Sequence, residues 1–518
     1  MLIALIFLAN LLVVGIAFFL RWRKWRTAHI WMILVFISLV EWLLLILIRI
    51  ENFSPLALTD WMTVGDTPVS LLFQINAKNW PLAFSFITTI PALLLTGIAR
   101  LDVRQDLKFW SAGILFLSIA FLASLAADLW SVVILWTALD LLEVFLQLVV
   151  FNETNHTYFQ RSLIVRFFGS LMLIFVTASH STSSINPMLS GLSDSGSILI
   201  FLAALLHSGI LPLRQLKTTN HLTHNEWIIS DLVKLVILIT SFSIFIYFPK
   251  PTISFFAATI LQIVTYLLII RIGLSEIADI EKKSEFLWPL FIAGFIVFLY
   301  LNSANFEFWL PALFLPSIFL LVYSHRNQST IFFPLIMTLL VSGLPYKLNS
   351  FGSRAFLFED FRLVILWVLP LLVIFLARFL KKSLQNHKEF SGIESIYQIV
   401  YLFGLLVLTL SSGVISFKFN APFQMEPNQW WVGVIVVSLL VVFLILHRSR
   451  KFHNPFGSKL DITGLTQKVL SLDWVSRFTD LVEKRLRNLA ASFSNLFEGA
   501  GGFLWALVIL ILILTIIR

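Results

Sequence analysis

The chain has 518 residues, 58% apolar and only 13% charged, with a formal net charge of +9. Soluble domains carry about a quarter charged residues, so this composition excludes one large soluble domain and excludes disorder. There are no cysteines, which excludes disulfides, thiolate metal sites and iron–sulfur clusters.

Apolar blocks of about 17–23 residues without charge, enough to cross a bilayer core, recur along the sequence. In chain order they predict sixteen spans: 2–20, 29–49, 79–99, 110–127, 129–151, 163–179, 197–213, 228–248, 252–272, 286–301, 307–323, 331–357, 361–380, 396–416, 430–447 and 503–517. The fold class expected is an all-α polytopic membrane protein. No basic residue precedes the first block, and Arg21-Trp22-Arg23-Lys24-Trp25-Arg26 follows it. A cleaved signal peptide has its charge first, so residues 2–20 read as a retained span.

Placing the basic loop 21–28 inside makes a prediction about the other loops. Those after odd-numbered spans should be rich in Lys and Arg. They are, whereas the loops after even-numbered spans and the C-terminal tail hold only Lys78, Lys250, Lys418 and Arg518. The asymmetry supports the span count and places both termini outside. It also accounts for the positive charge without a nucleic-acid partner. The expected location is a bacterial inner (cell) membrane.

The segment 465–498 differs from the spans. Its apolar residues, from Trp474 through Phe478, Leu481, Leu489 and Phe493 to Phe497, follow the 3–4 spacing of one helix face, with Arg477, Asp480, Lys484 and Arg487 largely off it. This predicts an amphipathic helix of about 45 Å lying along the inner membrane surface. It is either a generic interfacial anchor or a brace across neighbouring subunits.

Two spans contain the same helix-breaking pattern. One reads His207-Ser208-Gly209-Ile210-Leu211-Pro212, the other Val341-Ser342-Gly343-Leu344-Pro345-Tyr346. Proline removes an amide donor and glycine loosens the backbone. Such breaks at bilayer depth are tolerated where they face protein or a wet cavity. Matched broken spans point to inverted repeats, here five-span units over 110–248 and 252–380. The expected organisation is an N-terminal three-helix segment (1–108), a first repeat (109–249), a second repeat (250–380), two additional helices (381–447), the lateral helix with its flanks (448–502) and a terminal span (503–518).

Ionisable residues inside spans cost at least a few kcal/mol each and mark function. Asp140 and Glu143 share a face of the fifth span at i,i+3. Arg166 is early in the sixth, His207 beside the first break, and Asp231 with Lys234 at i,i+3 in the eighth. Lys347 and Arg354 follow the second break, Lys283 lies in an inner loop, and Glu41 stands alone in the second span. A proton path requires a chain of titratable groups, and the candidates are Asp140, Glu143, His207, Lys234 and Arg354, with Asp231, Lys347 and Lys283 secondary. Asp231 with Lys234 equally reads as a buried structural pair. His221 and His224 read as a solvated loop rather than a metal site.

At these residues the chain resembles the antiporter-like subunits of the respiratory complex I, Mrp antiporter and membrane-bound hydrogenase superfamily. His207-Ser208 followed by Pro212 resembles the family's lysine-Ser-x-x-x-Pro pattern. Gly343-Leu344-Pro345, followed by Phe351, Ser353 and Arg354, is similar to its Gly-Leu-Pro and Phe-x-Ser-Lys. Ala127-Asp128, followed by Trp136-Thr137, resembles an Ala-Asp preceding a Trp-Glu pair. In layout the chain is most similar to the large sixteen-span subunit with a lateral helix. It departs at three key positions: Thr137 replaces a glutamate, and His207 and Arg354 replace lysines. A proline-rich stretch before the eighth span is absent, and Lys234 stands as a replacement for that span's base.

The resemblance implies a subunit that helps translocate protons, or sodium, within a multisubunit respiratory or antiporter complex. His207 would pair with Asp140 or Glu143, and Arg354 would mark a second half-channel. The implied partners are other membrane subunits, the lipid bilayer, and protons or sodium. No cofactor and no catalytic site of its own are expected, although the host would be a translocase of the NADH:quinone oxidoreductase type. The alternatives are a divergent scaffold subunit that does not pump and a stand-alone secondary carrier of an ion or solute.

Overall fold

The computed structural model describes residues 2–47, 71–97, 106–149, 156–181, 194–209, 224–247, 287–302, 306–323, 331–341, 361–384 and 395–418, with short pieces at 56–57, 62–64, 67–69, 259–267 and 269–270 and isolated positions within 434–491. The helices are α1 (Leu2–Trp22), α2 (Thr27–Leu47), α3 (Trp80–Gly97), α4 (Asp106–Leu125), α5 (Leu129–Val149), α6 (His156–Ser181), α7 (Asp194–His207), α8 (His224–Ser243), α9 (Leu287–Leu301), α10 (Phe306–Val322), α11 (Phe332–Val341), α12 (Phe361–Leu384) and α13 (Ser395–Lys418). Among the described residues, eight are long and apolar enough to cross a membrane: α1–α6, α8 and α13. Shorter apolar helices lie at 196–207, 288–301, 307–322, 332–341 and 368–380.

A helix that is apolar all round must be surrounded by protein or lipid. Both solutions occur. α3 is buried along nearly its whole length and packs against α2, α4, α10 and α13. α8 is a second central helix, set against α4, α5, α7, α9 and α10. By contrast α1 and α2 turn Leu8, Leu12, Phe18, Met32, Phe36 and Leu43 outward, as a lipid-facing surface does.

Many hydroxyls inside these helices are satisfied by a carbonyl of their own helix. Ser85 donates to the Pro81 carbonyl at 2.7 Å, Thr89 to Ser85 at 2.8 Å and Ser411 to Val407 at 2.7 Å. Ser411 of α13 also accepts from Trp42 Nε1 at 2.9 Å and from Thr88 at 3.1 Å. That oxygen therefore joins α2, α3 and α13.

The all-α expectation needs one addition. The segment between α2 and α3 contains two short antiparallel ribbons, β1 (Leu56–Ala57) with β4 (Leu72–Phe73), and β2 (Met62–Val64) with β3 (Thr67–Val69). Val64 pairs with Thr67 at one end of the second ribbon. β4 and the residue after it then dock on the α4–α5 junction. Ala127 N–H donates to the Leu72 carbonyl and Gln74 N–H to Leu125, both at 2.9 Å. Asp128 caps α5, accepting from Ser131 N–H at 3.3 Å. The Leu72 amide reaches Ser131 Oγ at 2.8 Å. This lattice fixes the end of α5, and Asp140 lies about 16 Å further along, near the middle of the helix.

The chain divides into two units, Met1–Leu211 with Leu216–Pro455, and Pro212–Gln215 with Phe456–Arg518. In the second, Leu481, Lys484, Arg485, Asn488 and Ala491 are helical and exposed. Otherwise the lateral helix expected at 465–498 and the span at 503–517 lie outside the described residues.

Candidate functional site: a buried charge cluster at the end of α7

Trp136, Asp140 and Glu143 occur at i, i+4 and i+7 on α5, hence on one face. All three are buried. Facing them, α6 contributes Arg166, only 1% exposed. Its guanidinium lies 3.0 Å from Asp140 Oδ1 and also pairs with Glu143 Oε2. α7 contributes His207, its last residue, with no exposed surface. His207 Nε2 lies 3.5 Å from Asp140 Oδ2, and Nδ1 lies 2.6 Å from Ser241 Oγ on α8. The imidazole stacks on the Trp136 indole, with centroids 4.1 Å apart and planes 8° from parallel.

Two glycines hold this arrangement. A Cβ at Gly169 of α6 would lie 2.7 Å from the Ala203 carbonyl oxygen and 2.8 Å from the His207 amide. Only glycine allows the α6 backbone to approach the last turn of α7 so closely. Gly209 has φ +70°, a left-handed conformation that ends the helix two residues after His207. Of the break anticipated there, the described residues contain the end of α7 and Gly209. The Arg166 side chain runs alongside, its Cδ 4.0 Å from where a Gly209 Cβ would be.

Charge counting defines what the cluster can do. Two carboxylates face one guanidinium, which stays protonated, and one imidazole, which can carry a second ring proton. With neutral His207 the ionised cluster carries one excess negative charge. A proton on the imidazole balances it. Charges buried at this depth are stable only when paired, so the loading of one site is coupled to its neighbours.

The sequence-derived candidates separate into three groups. Asp140, Glu143 and His207 come together, and the carboxylate that meets His207 is Asp140. Lys234 pairs with Asp231 at 3.2 Å, its side chain 36% exposed. It sits on α8 seven residues before Ser241, about 10 Å along the axis. Pro212, Lys283, Gly343, Pro345, Lys347 and Arg354 lie outside the described residues; α11 ends at Val341. Thr137, at the family's glutamate position, is exposed and donates to the Val133 carbonyl at 2.8 Å. The carboxylates one and two turns further on build the cluster instead.

Two participants were not anticipated as such. Arg166 was expected early in a sixth span beginning at 163 and was not among the proton-path candidates. α6 begins at His156, which puts Arg166 three turns in. Ser241 had no signal, since serine is ordinary in an apolar helix. Outside the cluster, Arg378 of α12 is buried with its guanidinium 4.8 Å from the Trp288 ring centroid and 5.2 Å from that of Phe291. Glu41 of α2 is buried, and the side chain of Asn10 on α1 faces it.

No protein-family model and no curated protein matches the sequence. Solved structures do match. A chain of the Mrp complex from Dietzia sp. DQ12-45-1b is similar at a TM-score of 0.64 and 12% identity, over 100% of this chain and 63% of that one. A chain of respiratory complex I from Thermus thermophilus with bound NADH is similar at 0.57 and 17% identity, over 84% of this chain and 99% of that one. A chain of the membrane-bound sulfane sulfur reductase, an archaeal respiratory membrane complex, is similar at 0.57 and 13% identity, over 98% and 99%. This chain thus spans 63% of the length of the Mrp-complex chain it matches. The protein is an integral membrane protein with the fold of chains in these three complexes, and the resemblance read from its motifs holds at the level of fold.

Proposed function

We propose that this protein is a divergent antiporter-like membrane subunit that takes part in proton, or sodium, translocation within a multisubunit complex. Supporting this are its likeness in fold to chains of the Mrp complex and respiratory complex I and the motifs around the two breaks. One observation carries the mechanism: Asp140, Glu143, Arg166 and His207 form a buried cluster that is charge-balanced when it holds one proton on the imidazole. Moving a neighbouring charge would tip that balance and release or capture the proton. In this reading Lys234, with Asp231, is the next group along α8. Arg354 marks the second half-channel, after the break at Gly343 and Pro345, with Lys347 and the inner-loop Lys283 as secondary groups. The sixteen-span layout, the two inverted five-helix repeats and the lateral helix that braces neighbouring subunits complete the proposal.

Replacing His207 by Gln and Glu143 by Leu, separately, tests it in vesicles containing the assembled complex. Ion translocation should fall at least tenfold in each. Unchanged translocation with normal assembly would falsify the reading. A second reading, a scaffold subunit that no longer pumps, draws support from Thr137, an exposed hydroxyl at the position where the family carries its glutamate. Deleting 457–498 should then dissolve the complex while the His207 variant leaves translocation intact.

A further inference from the structure

The hydroxyl of Ser241 has one hydrogen, and two short contacts compete for it. Its Oγ lies 2.6 Å from the Ile237 carbonyl oxygen, one turn back on α8, and 2.6 Å from His207 Nδ1. A carbonyl oxygen can only accept, so the Ile237 contact needs the Ser241 hydrogen. The contact to His207 is then satisfied only if Nδ1 carries a hydrogen and donates it. The reverse assignment would leave two oxygens 2.6 Å apart with no hydrogen between them, which is repulsive.

We propose that Ser241 is a positioning residue that locks His207 in the form protonated at Nδ1, leaving Nε2, which faces Asp140, as the one ring atom that takes up and releases a proton. The ring cannot turn over to exchange its nitrogens. Trp136 is stacked on its face, and the close approach of Gly169 to the His207 backbone fixes the residue from the other side. The groups that face the imidazole are therefore Trp136 and Asp140 from α5, Ser241 from α8, and the Arg166 guanidinium from α6 acting through Asp140. The nitrogen that is held decides which nitrogen is free.

The step is a single proton transfer. The proton on Nε2 of the imidazolium passes to Asp140 Oδ2. The imidazole is left neutral, with its hydrogen still on Nδ1, and the carboxylate becomes a neutral carboxylic acid. Net charge is conserved, and the Arg166–Glu143 pair keeps its own balance. Directionality follows: a proton enters or leaves the ring only on the α5 side. This inference rests on the translocation reading but adds to it a specific atom and a residue outside the motifs.

The test uses the complex with its histidines labelled with 15N, His207→Gln assigning the ring signals by difference. In the wild type His207 should give one protonated Nδ1 throughout, with Nε2 alone changing with pH. Ser241→Ala should mix the two tautomers and lower the pH of half-maximal translocation by about one unit, the size expected when a hydrogen bond to the charged form is lost. Ser241→Thr, which keeps the hydroxyl, should restore both readings. If Ser241→Ala does not assemble, Ser241→Cys, a weaker acceptor of nearly the same size, is read in the same way. Unaltered ring signals in the Ala or Cys variant overturn the proposal. Altered ring signals with an unchanged translocation–pH profile support the role of Ser241 and count instead against the translocation reading.

Discussion

Two regions of the molecule bury carboxylates inside apolar helices, and they do so differently. On α5, Asp140 and Glu143 meet a guanidinium from α6 and an imidazole from α7. On α2, Glu41 is buried against α1, where the polar side chain facing it is the amide of Asn10. Neither Glu41 oxygen makes a hydrogen bond among the described residues, and the Asn10 amide donates to its own helix, to the Ile6 carbonyl at 3.3 Å. The first site is held together by charge supplied from three helices. The second is held by apolar packing, with Trp42 next to Glu41 tied to Ser411 at 2.9 Å. A charge network makes its members depend on one another, so it can switch. A carboxyl with no ionic partner among the described residues has nothing there to switch against.

The largest expected effect separates the two regions most sharply. Arg166→Met leaves two buried carboxylates without their cation and should cost about 3–5 kcal/mol, seen as loss of the assembled complex or a much lower unfolding temperature in detergent. Adding Asp140→Asn and Glu143→Gln should recover much of that loss. If the single variant is as stable as the wild type, the cluster is not an ionic network.

Next in size is Gly169→Ala. Its Cβ would lie 2.7 Å from the Ala203 carbonyl, and overpacking of this kind costs about 1–3 kcal/mol. A denaturation midpoint measures it. The matching change in the other region has the opposite sign. A Cβ at Gly15 of α1 has no atom within 4 Å, and Gly→Ala in a helix interior gains about 0.5–1 kcal/mol. Destabilisation by Gly15→Ala would mean that the outward face of α1 is packed against something other than lipid.

The smallest effect is expected from Glu41→Gln. The amide has the same shape, no ion pair among the described residues is lost, and the change in stability should be less than about 0.5 kcal/mol, the lower end of a neutral hydrogen bond. A loss above about 3 kcal/mol would place a cation beside Glu41 and remove the distinction between the regions.

Much of the site was legible along the chain because it sits in a medium that punishes charge. In segments otherwise made of Leu, Ile, Val and Phe, Asp140, Glu143 and His207 stand out, and the i,i+3 rule puts the two carboxylates on one face before any fold is known. The end of α7 after His207 was equally visible, since Gly209 is a residue that ends helices. Arg166 was visible but misjudged: hydropathy marks where apolar sequence begins, whereas α6 continues through the polar residues His156–Arg161. The strands between α2 and α3 were missed because four short segments of two or three residues carry no usable alternation. Lys234 was picked out by the same reasoning. Its type and span made it a proton-path candidate, while its neighbour is Asp231 and its side chain is partly exposed.

The sequence by itself determined that the chain lives in a bilayer, where its first helices begin and end to within a few residues, and that Asp140 and Glu143 share one face of a helix. These follow from the length and polarity of segments, which are local. Tertiary structure alone decided that Arg166 sits between Asp140 and Glu143, that His207 turns toward Asp140, and that Ser241 holds the far side of its ring. Those choices depend on how four helices approach one another, at Gly169 to within the space of a missing methyl group. Distances between helices are set by packing in three dimensions, and no spacing along one chain records them.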